Sequence, residues 1–502
     1  MTEEAPKKHS QFALYVAAIL AAVGGFISGY DTGAISGILA MSQFTTRFPP
    51  LNGNSYNQGL FVAAILLTAM LGSLLTGWFA DKIGRKWTIM VGSFVYAFGI
   101  MFEIIGVNFG MMVAGRLIGG FGNGLLTNSV PLYHSEIAPP KIRGRLICLF
   151  QLMITFGIVV SYFIDLGTSN IQSDMAWRTP FIVQMIFALG LGSAMYWLPY
   201  SPRWLTDKGR NEEALQVLAD MRAGGDINDP EVQKEFKQIH DEILLEHELE
   251  IRSYAELFKG TVLKRTIIGV FIQSAQQFTG INGVLYYAPS IFQAAGLSGT
   301  TNSLVATGVT GICNFAATLP AVMWIDRWGR KPTLISGAFI QAVAMFVIGS
   351  VFQTQSSMVD GSLVMNSTAA TNTVIAFIFI FTLAFAYSWG ACGFIYPAEI
   401  FPMRVRAKAT SLTTGANWLF AIVITFITPV IIAATSSGLY FLFGGCCILM
   451  GIACFFIPET AGRSLEDMEI VFGDDPAIEK RAAMELGVNV DDFNEIAANH
   501  GK

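Results

Sequence analysis

Residues 77–86 read GWFADKIGRK, and residues 322–331 read VMWIDRWGRK. The two stretches share one spacing of aspartate, glycine, arginine and lysine: Asp81, Gly84, Arg85 and Lys86 against Asp326, Gly329, Arg330 and Lys331. Each follows an apolar run long enough to cross a bilayer. A second pair behaves alike. SEIAPPKIRGR (135–145) and AEIFPMRVRAK (398–408) each place an arginine seven residues after a glutamate, Arg143 after Glu136 and Arg406 after Glu399. Both motifs recur six apolar runs later. The chain therefore reads as two duplicated halves of parallel topology, a pattern of transporters.

The composition agrees. The 502 residues are 53% hydrophobic and 13% charged, with mean hydropathy +0.52. Soluble domains carry about a quarter charged residues. Twelve spans are expected, near 12–40, 58–80, 87–107, 110–132, 146–168, 178–199, 265–293, 302–325, 332–353, 372–396, 408–434 and 437–457. This is an all-α membrane protein of two pseudo-symmetric six-helix bundles with short cytoplasmic helices. The expected boundaries are a tail at 1–11, a bundle at 12–199, a linker at 200–264, a second bundle at 265–457 and a tail at 458–502. The run from Phe12 to Met41 is too long for a signal-peptide core and lacks a cleavage pattern. With the N-terminus inside, 28 of 31 Lys and Arg fall on the cytoplasmic side. The positive-inside rule then predicts that both termini are cytoplasmic.

The polar segment 200–264 contains NEEALQVLADMR and DPEVQKEFKQIHDEILLEHELE, helical in period and densely charged. It is expected to bridge the halves, as a plain linker or as part of a gate. The six cysteines lie in apolar segments without metal-ligand spacing, and the five histidines are expected outside the spans. No metal, cofactor, nucleophile–base pair or phosphate loop is expected, so the chain reads as no enzyme, and no nucleic-acid partner is expected.

Charge inside a span demands a reason, because an aspartate at mid-bilayer costs about 2.5–3.5 kcal/mol. Asp31 sits in GGFISGYDTGAISG (24–37). It lies about nine residues from the outer end of the first span, and Arg116 about six from that of the fourth. At 1.5 Å per residue their depths differ by about 5 Å, so the two are expected to pair. Glu103 and Asp165 lie nearer the outer surface and are weaker partners. On the cytoplasmic side, Asp81, Arg85, Glu136 and Arg143 can form one ion-pair network, and Asp326, Arg330, Glu399 and Arg406 another, tying the halves together when that side is closed.

Further motifs narrow the class: GYDTGAISG (29–37), GRLIGGFGNG (115–124), LPYSPRWL (198–205), QQFTGIN (276–282), ANWLF (416–420) and IPETAGRSLEDM (457–468). Together with the duplicated loops they resemble the sugar porter family of the major facilitator superfamily, over about residues 12 to 470, and most closely its fungal monosaccharide transporters. The sequence departs from the family pattern at Tyr200, where a glutamate is usual, at Ser28, where a phenylalanine precedes Gly-Tyr-Asp, and at Phe394, where many members have tryptophan.

A sugar offers hydroxyls that donate and accept, and amides match them without a charge to desolvate. The amides deep in the spans are Gln151, Gln276, Gln277, Asn282, Asn314 and Asn417, with Gln184 and Asn123. Gln276 and Gln277 point about 100° apart on a helix. The helix is expected to break at TGIN-G, and a broken helix facing a midplane cavity is a transporter feature. The resemblance implies that Gln151, Gln276, Gln277, Asn282 and Asn314 contact the sugar and that Tyr286 and Tyr287 form an extracellular gate. Asn417 joins the set by position, and Trp418 can stack on a pyranose.

In the proton symporters that the chain resembles, the matching aspartate and arginine form the coupling site. The expected function is import of a monosaccharide, a hexose such as glucose or a pentose, with a proton, by alternating access. The alternatives are a passive facilitator, in which the pair is structural, and a sugar-sensing receptor, against which the short tails argue. The expected setting is the plasma membrane, lipid-embedded and functional as a monomer, with Asn366 of NST (366–368) an extracellular glycosylation acceptor.

Overall fold

The computed structural model describes residues 8–52, 54–139, 142–249, 254–297, 300–359, 362–401, 403–461 and 472. The first half contains α1 (Lys8–Ala40), short α2 (Ser42–Arg47), α3 (Ser55–Ile83), α4 (Arg85–Ile105), α5 (Phe109–Ile137), α6 (Arg143–Thr168) and α7 (Met175–Ala194). A charged segment follows with α8 (Pro202–Asp207), α9 (Asn211–Arg222) and α10 (Pro230–Leu249). The second half contains α11 (Gly260–Phe278), α12 (Ile281–Ala294), α13 (Thr300–Trp328) and α14 (Arg330–Gln355). It continues with α15 (Thr368–Tyr387), α16 (Trp389–Ile400), α17 (Met403–Ala434) and α18 (Gly438–Ala453).

Counting α11–α12 and α15–α16 as broken single spans gives twelve, six in each half. Among the described residues ten segments are long and apolar enough to cross a membrane by themselves. The two spans left out are α5 and the broken pair α11–α12. Their shortfall has a cause: α5 carries Arg116, Asn123 and a run of glycines, and α11 carries Gln273, Gln276 and Gln277. The weakest membrane signals belong to the helices loaded with polar groups.

Glycine brings the helices of the first half close enough for backbone contact. A Cβ at Gly29 of α1 would fall 1.9 Å from the Ile154 carbonyl oxygen of α6, and one at Gly120 of α5 would fall 2.2 Å from that of Ile65 on α3. The break between α11 and α12 also needs glycine. Gly280 has φ +89° there, and a Cβ would strike the Phe443 ring at 2.3 Å. The halves meet along α3 with α17, α6 with α13 and α1 with α12. Large apolar side chains such as Trp197, Leu449 and Phe456 point outward, as a lipid-facing surface requires.

Two features differ from the sequence reading. Between α14 and α15 the chain forms a two-stranded antiparallel hairpin, β1 (Ser356–Val359) with β2 (Ser362–Met365), pairing Ser356 with Met365. The longer loop between those spans thus satisfies part of its backbone by itself. The helix of the fourth expected span also runs further than 132. Helix α5 runs on to Ile137, and His134 is fully buried with Nε2 2.9 Å from the Ala18 carbonyl oxygen. The proline at position 131 marks no helix end here, because α5 carries it in its interior.

Candidate functional site

Four helices of the first half converge on Asp31. Arg116 Nη1 donates to Asp31 Oδ1 at 2.6 Å, and both side chains are buried, Arg116 completely. The same oxygen accepts from the Gln184 amide at 3.2 Å and from the Tyr96 hydroxyl at 3.3 Å. Tyr96 and Gln184 also bond each other. The guanidinium lies over the Phe61 ring, 5.5 Å from its centre. The pair expected from matching depths forms. Tyr96 and Gln184 were not assigned to it from sequence; Gln184 was visible as a deep amide, and Tyr96 only as a hydroxyl in an apolar span.

The second half supplies a continuous amide chain. Asn282 Nδ2 donates to Gln277 Oε1 at 2.7 Å, and Gln277 Nε2 donates to Asn417 Oδ1 at 3.1 Å. Asn417 Nδ2 donates in turn to Gln276 Oε1 at 2.7 Å and to the Gln273 carbonyl at 3.0 Å. Gln276 Nε2 ends the chain on the Trp389 carbonyl at 2.9 Å. That carbonyl stands at the break between α15 and α16, where Ser388 has φ −115° and ψ −91°. Each amide is thus held by the next, in one fixed rotamer. Such a preset array fits a neutral polyol, since it presents donors and acceptors and no net charge. Gln151 on α6 and Asn314 on α13 stand outside this chain. Their helices pack together, with Phe156 and Phe315 rings 5.8 Å apart. Trp418 is half-buried beside the core.

Further along the broken pair, Tyr286 and Tyr287 are buried in α12. Thr32 Oγ1 bonds the Tyr286 hydroxyl at 3.4 Å, and the Tyr162 hydroxyl donates to the Leu285 carbonyl at 3.1 Å, so α12 is tied to α1 and α6 of the other half. Tyr287 instead bonds its own half, donating to the Thr425 carbonyl at 3.2 Å. Its backbone leaves helical geometry at φ −112°, ψ 15°, a kink two residues before Pro289.

At the end of the bundle that carries the α3–α4 and α13–α14 turns, the described ion pairs lie within each half. Arg85 contacts Glu136 at 3.0 Å and Asp81 at 3.4 Å. Arg330 contacts Glu399 at 2.7 Å, and Glu399 also accepts from the Thr460 hydroxyl at 2.6 Å. The side chains of Arg143, Asp326 and Arg406 lie outside the described residues. Glu459 caps α14: its carboxylate accepts from the backbone N–H groups of Arg330 and Lys331 at 2.9 Å, and from Thr460 and Ala461. Partial burial opposes its charge, but these four donors outweigh burial and hold the carboxyl below the usual range. Among the described residues of the first half no carboxylate caps α4 in this way. Tyr200 takes that place, stacked on Trp204 at 5.5 Å and accepting from Trp87 Nε1 at 2.6 Å.

A family model described as sugar (and other) transporter matches residues 17–472. The chain belongs to the sugar porter family of the major facilitator superfamily. It is 34% identical over 479 residues to the MFS glucose transporter mfs1 of Aspergillus flavus, spanning 92% of this chain and 90% of that one. It is 32% identical over 474 residues to a high-affinity glucose transporter of Kluyveromyces lactis, spanning 92% and 86%. Among solved structures, the proton:xylose symporter XylE of E. coli, bound to 6-bromo-6-deoxy-D-glucose, superposes with TM-score 0.76 at 28% identity, covering 92% of this chain and 99% of that one. This sugar porter is accordingly a multi-pass membrane transporter and not an enzyme.

Proposed function

We propose that the protein imports a monosaccharide with a proton across the plasma membrane by alternating access, with both termini cytoplasmic and the monomer as the working unit. The observation that carries this reading is the buried Asp31–Arg116 pair at 2.6 Å, one residue from the Thr32–Tyr286 bond that links the halves. A titratable carboxylate held by a buried arginine binds a proton only if the pair loosens, and loosening moves a gate contact beside it. The amide chain from Asn282 to Gln276 receives the sugar, with Gln151 and Asn314 completing the site from the facing helices. The glucose named for the fungal relatives and the xylose named for XylE make a hexose such as glucose, or a pentose, the substrate class. Asn366, exposed after the hairpin, is the glycosylation acceptor.

The test is sugar-evoked proton uptake by the purified protein in liposomes, across a panel of hexoses and pentoses. Proton influx with at least one sugar, absent without it, supports the reading. Sugar equilibration without proton movement makes the protein a facilitator and leaves Asp31–Arg116 as a structural pair. Binding without transport would favour a receptor.

A further inference from the structure

Glu103 is a fully buried carboxyl that the pair just described does not use. It lies on α4, two residues before the end of that helix, and among the described residues neither of its oxygens has a hydrogen-bond partner. Arg116 is left with a matching surplus. Its Nη1 serves Asp31, while Nε and Nη2 are buried without partners among the described residues. Two acceptors and two donors without partners among the described residues are therefore buried between α4 and α5. The backbone makes room for them to meet. Gly115, next to Arg116, has no side chain where Glu103 passes: a Cβ there would lie 2.8 Å from Glu103 Cγ. Glu103 is within electrostatic range of both Arg116 and Asp31.

A difficulty in any proton cycle at Asp31 is what becomes of Arg116. Once Asp31 is neutral, a buried guanidinium that lost its partner would be strongly unfavourable. We infer that Glu103 is the alternate partner of Arg116, and that Asp31 and Glu103 share one proton. This rests on the proton-coupled reading above. In the arrangement seen, Asp31 holds Arg116, and we place the shared proton on Glu103. In the other, the Glu103 O–H bond breaks, an O–H bond forms on Asp31, and the guanidinium turns to Glu103. The triad has zero net charge both times. Release of the Asp31 proton to the cytoplasm returns Arg116 to Asp31, and Glu103, the outer of the two, takes the next proton from outside. One proton enters and one leaves per cycle. The other titratable or charged groups facing this triad are Tyr96 of α4 and Tyr286 of α12.

Two measurements test the inference. The first is the pH profile of proton-driven uptake by Glu103→Gln in liposomes. With no alternate partner for Arg116, freeing it from Asp31 costs more, and the acid midpoint of uptake moves down by about one pH unit. A purely structural role would lower the maximal rate and leave the midpoint in place, which overturns the inference. The second is a stability cycle on the purified full chain, and it stands even if the wild type moves no protons. Asp31→Asn leaves Glu103 for Arg116, and Glu103→Gln leaves Asp31. The double variant leaves neither, so its melting temperature falls by more than the sum of the single shifts, and adding Arg116→Met restores most of the loss. A double variant too unstable to purify, with a recoverable triple variant, also supports the pairing. Additive single shifts, or a triple variant no better than the double, overturn it.

Discussion

Thr32 bonds Tyr286 across the two halves at 3.4 Å, and Thr32 is the residue after Asp31. The contact is long and exchanges one hydroxyl partner for another, so it is weak and easily given up. That suits a gate. It also means that a movement of the α1 backbone needed to loosen Asp31 from Arg116 is felt at Tyr286 directly. Tyr286→Phe keeps the buried ring and removes the bond, worth about 0.5–1.5 kcal/mol. The outward-open population should then rise by a factor of about 2–12, read as a longer distance between spin labels at the outer ends of α1 and α12. An unchanged distance distribution would remove this bond from the gate.

The amide chain makes unequal demands on its members. On the proposed sugar site, Gln277→Ala or Asn282→Ala should weaken sugar binding by about 1–3 kcal/mol, with near-normal expression. Asn417 bonds Gln276, Gln277 and the Gln273 carbonyl. Asn417→Ala should therefore also lower the melting temperature, because it strands three buried polar groups. Calorimetric titration and a thermal melt separate the two effects. Unchanged affinity in the Gln277 and Asn282 variants would remove α11–α12 from the sugar site.

Glu136→Gln should slow cycling more than it weakens equilibrium sugar binding. Its carboxylate holds Arg85 where α5 ends and α4 begins, and it is no member of the amide chain. Comparing counterflow rate with binding affinity checks this. Equal loss of both, with poor folding, would make the pair a structural anchor.

Glu459 gives a pH prediction with a definite sign. A carboxyl held below its ordinary range stabilises the fold above that range, and the contribution is lost as pH falls through the lowered value. The cap on α14 should thus persist across the physiological range and fail only in strong acid. Glu459→Ala should cost about 1 kcal/mol at neutral pH, in the range of other helix caps, and should flatten the acid limb of a melting-temperature profile. An acid limb identical to wild type would contradict this role.

Much of this was legible in the sequence, for physical reasons. A duplicated Asp-Gly-Arg-Lys loop after an apolar run fixes a repeat and a topology because bilayer thickness sets the span length. Asp31 and Arg116 found each other because unpaired charge in a bilayer is costly, so depth alone pairs them. Tyr96 escaped notice because a hydroxyl in an apolar span has no such cost signature. The Trp389 carbonyl, which ends the amide chain, is backbone and has no sequence signature. The α15–α16 break at Ser388 lacks the glycine that announces the one at Gly280. The buried contact of His134 with the Ala18 carbonyl is not legible either, since a helix end cannot be fixed to a few residues when proline is tolerated within it.

The central claim is that Asp31 carries the proton, and the most direct measurement compares wild type with Asp31→Asn in one liposome preparation, reading uphill sugar accumulation under an imposed proton gradient beside sugar counterflow without one. Asparagine copies the protonated carboxyl but cannot titrate. The account predicts that Asp31→Asn loses accumulation and pH dependence while counterflow persists. Full concentrative uptake by Asp31→Asn would contradict it.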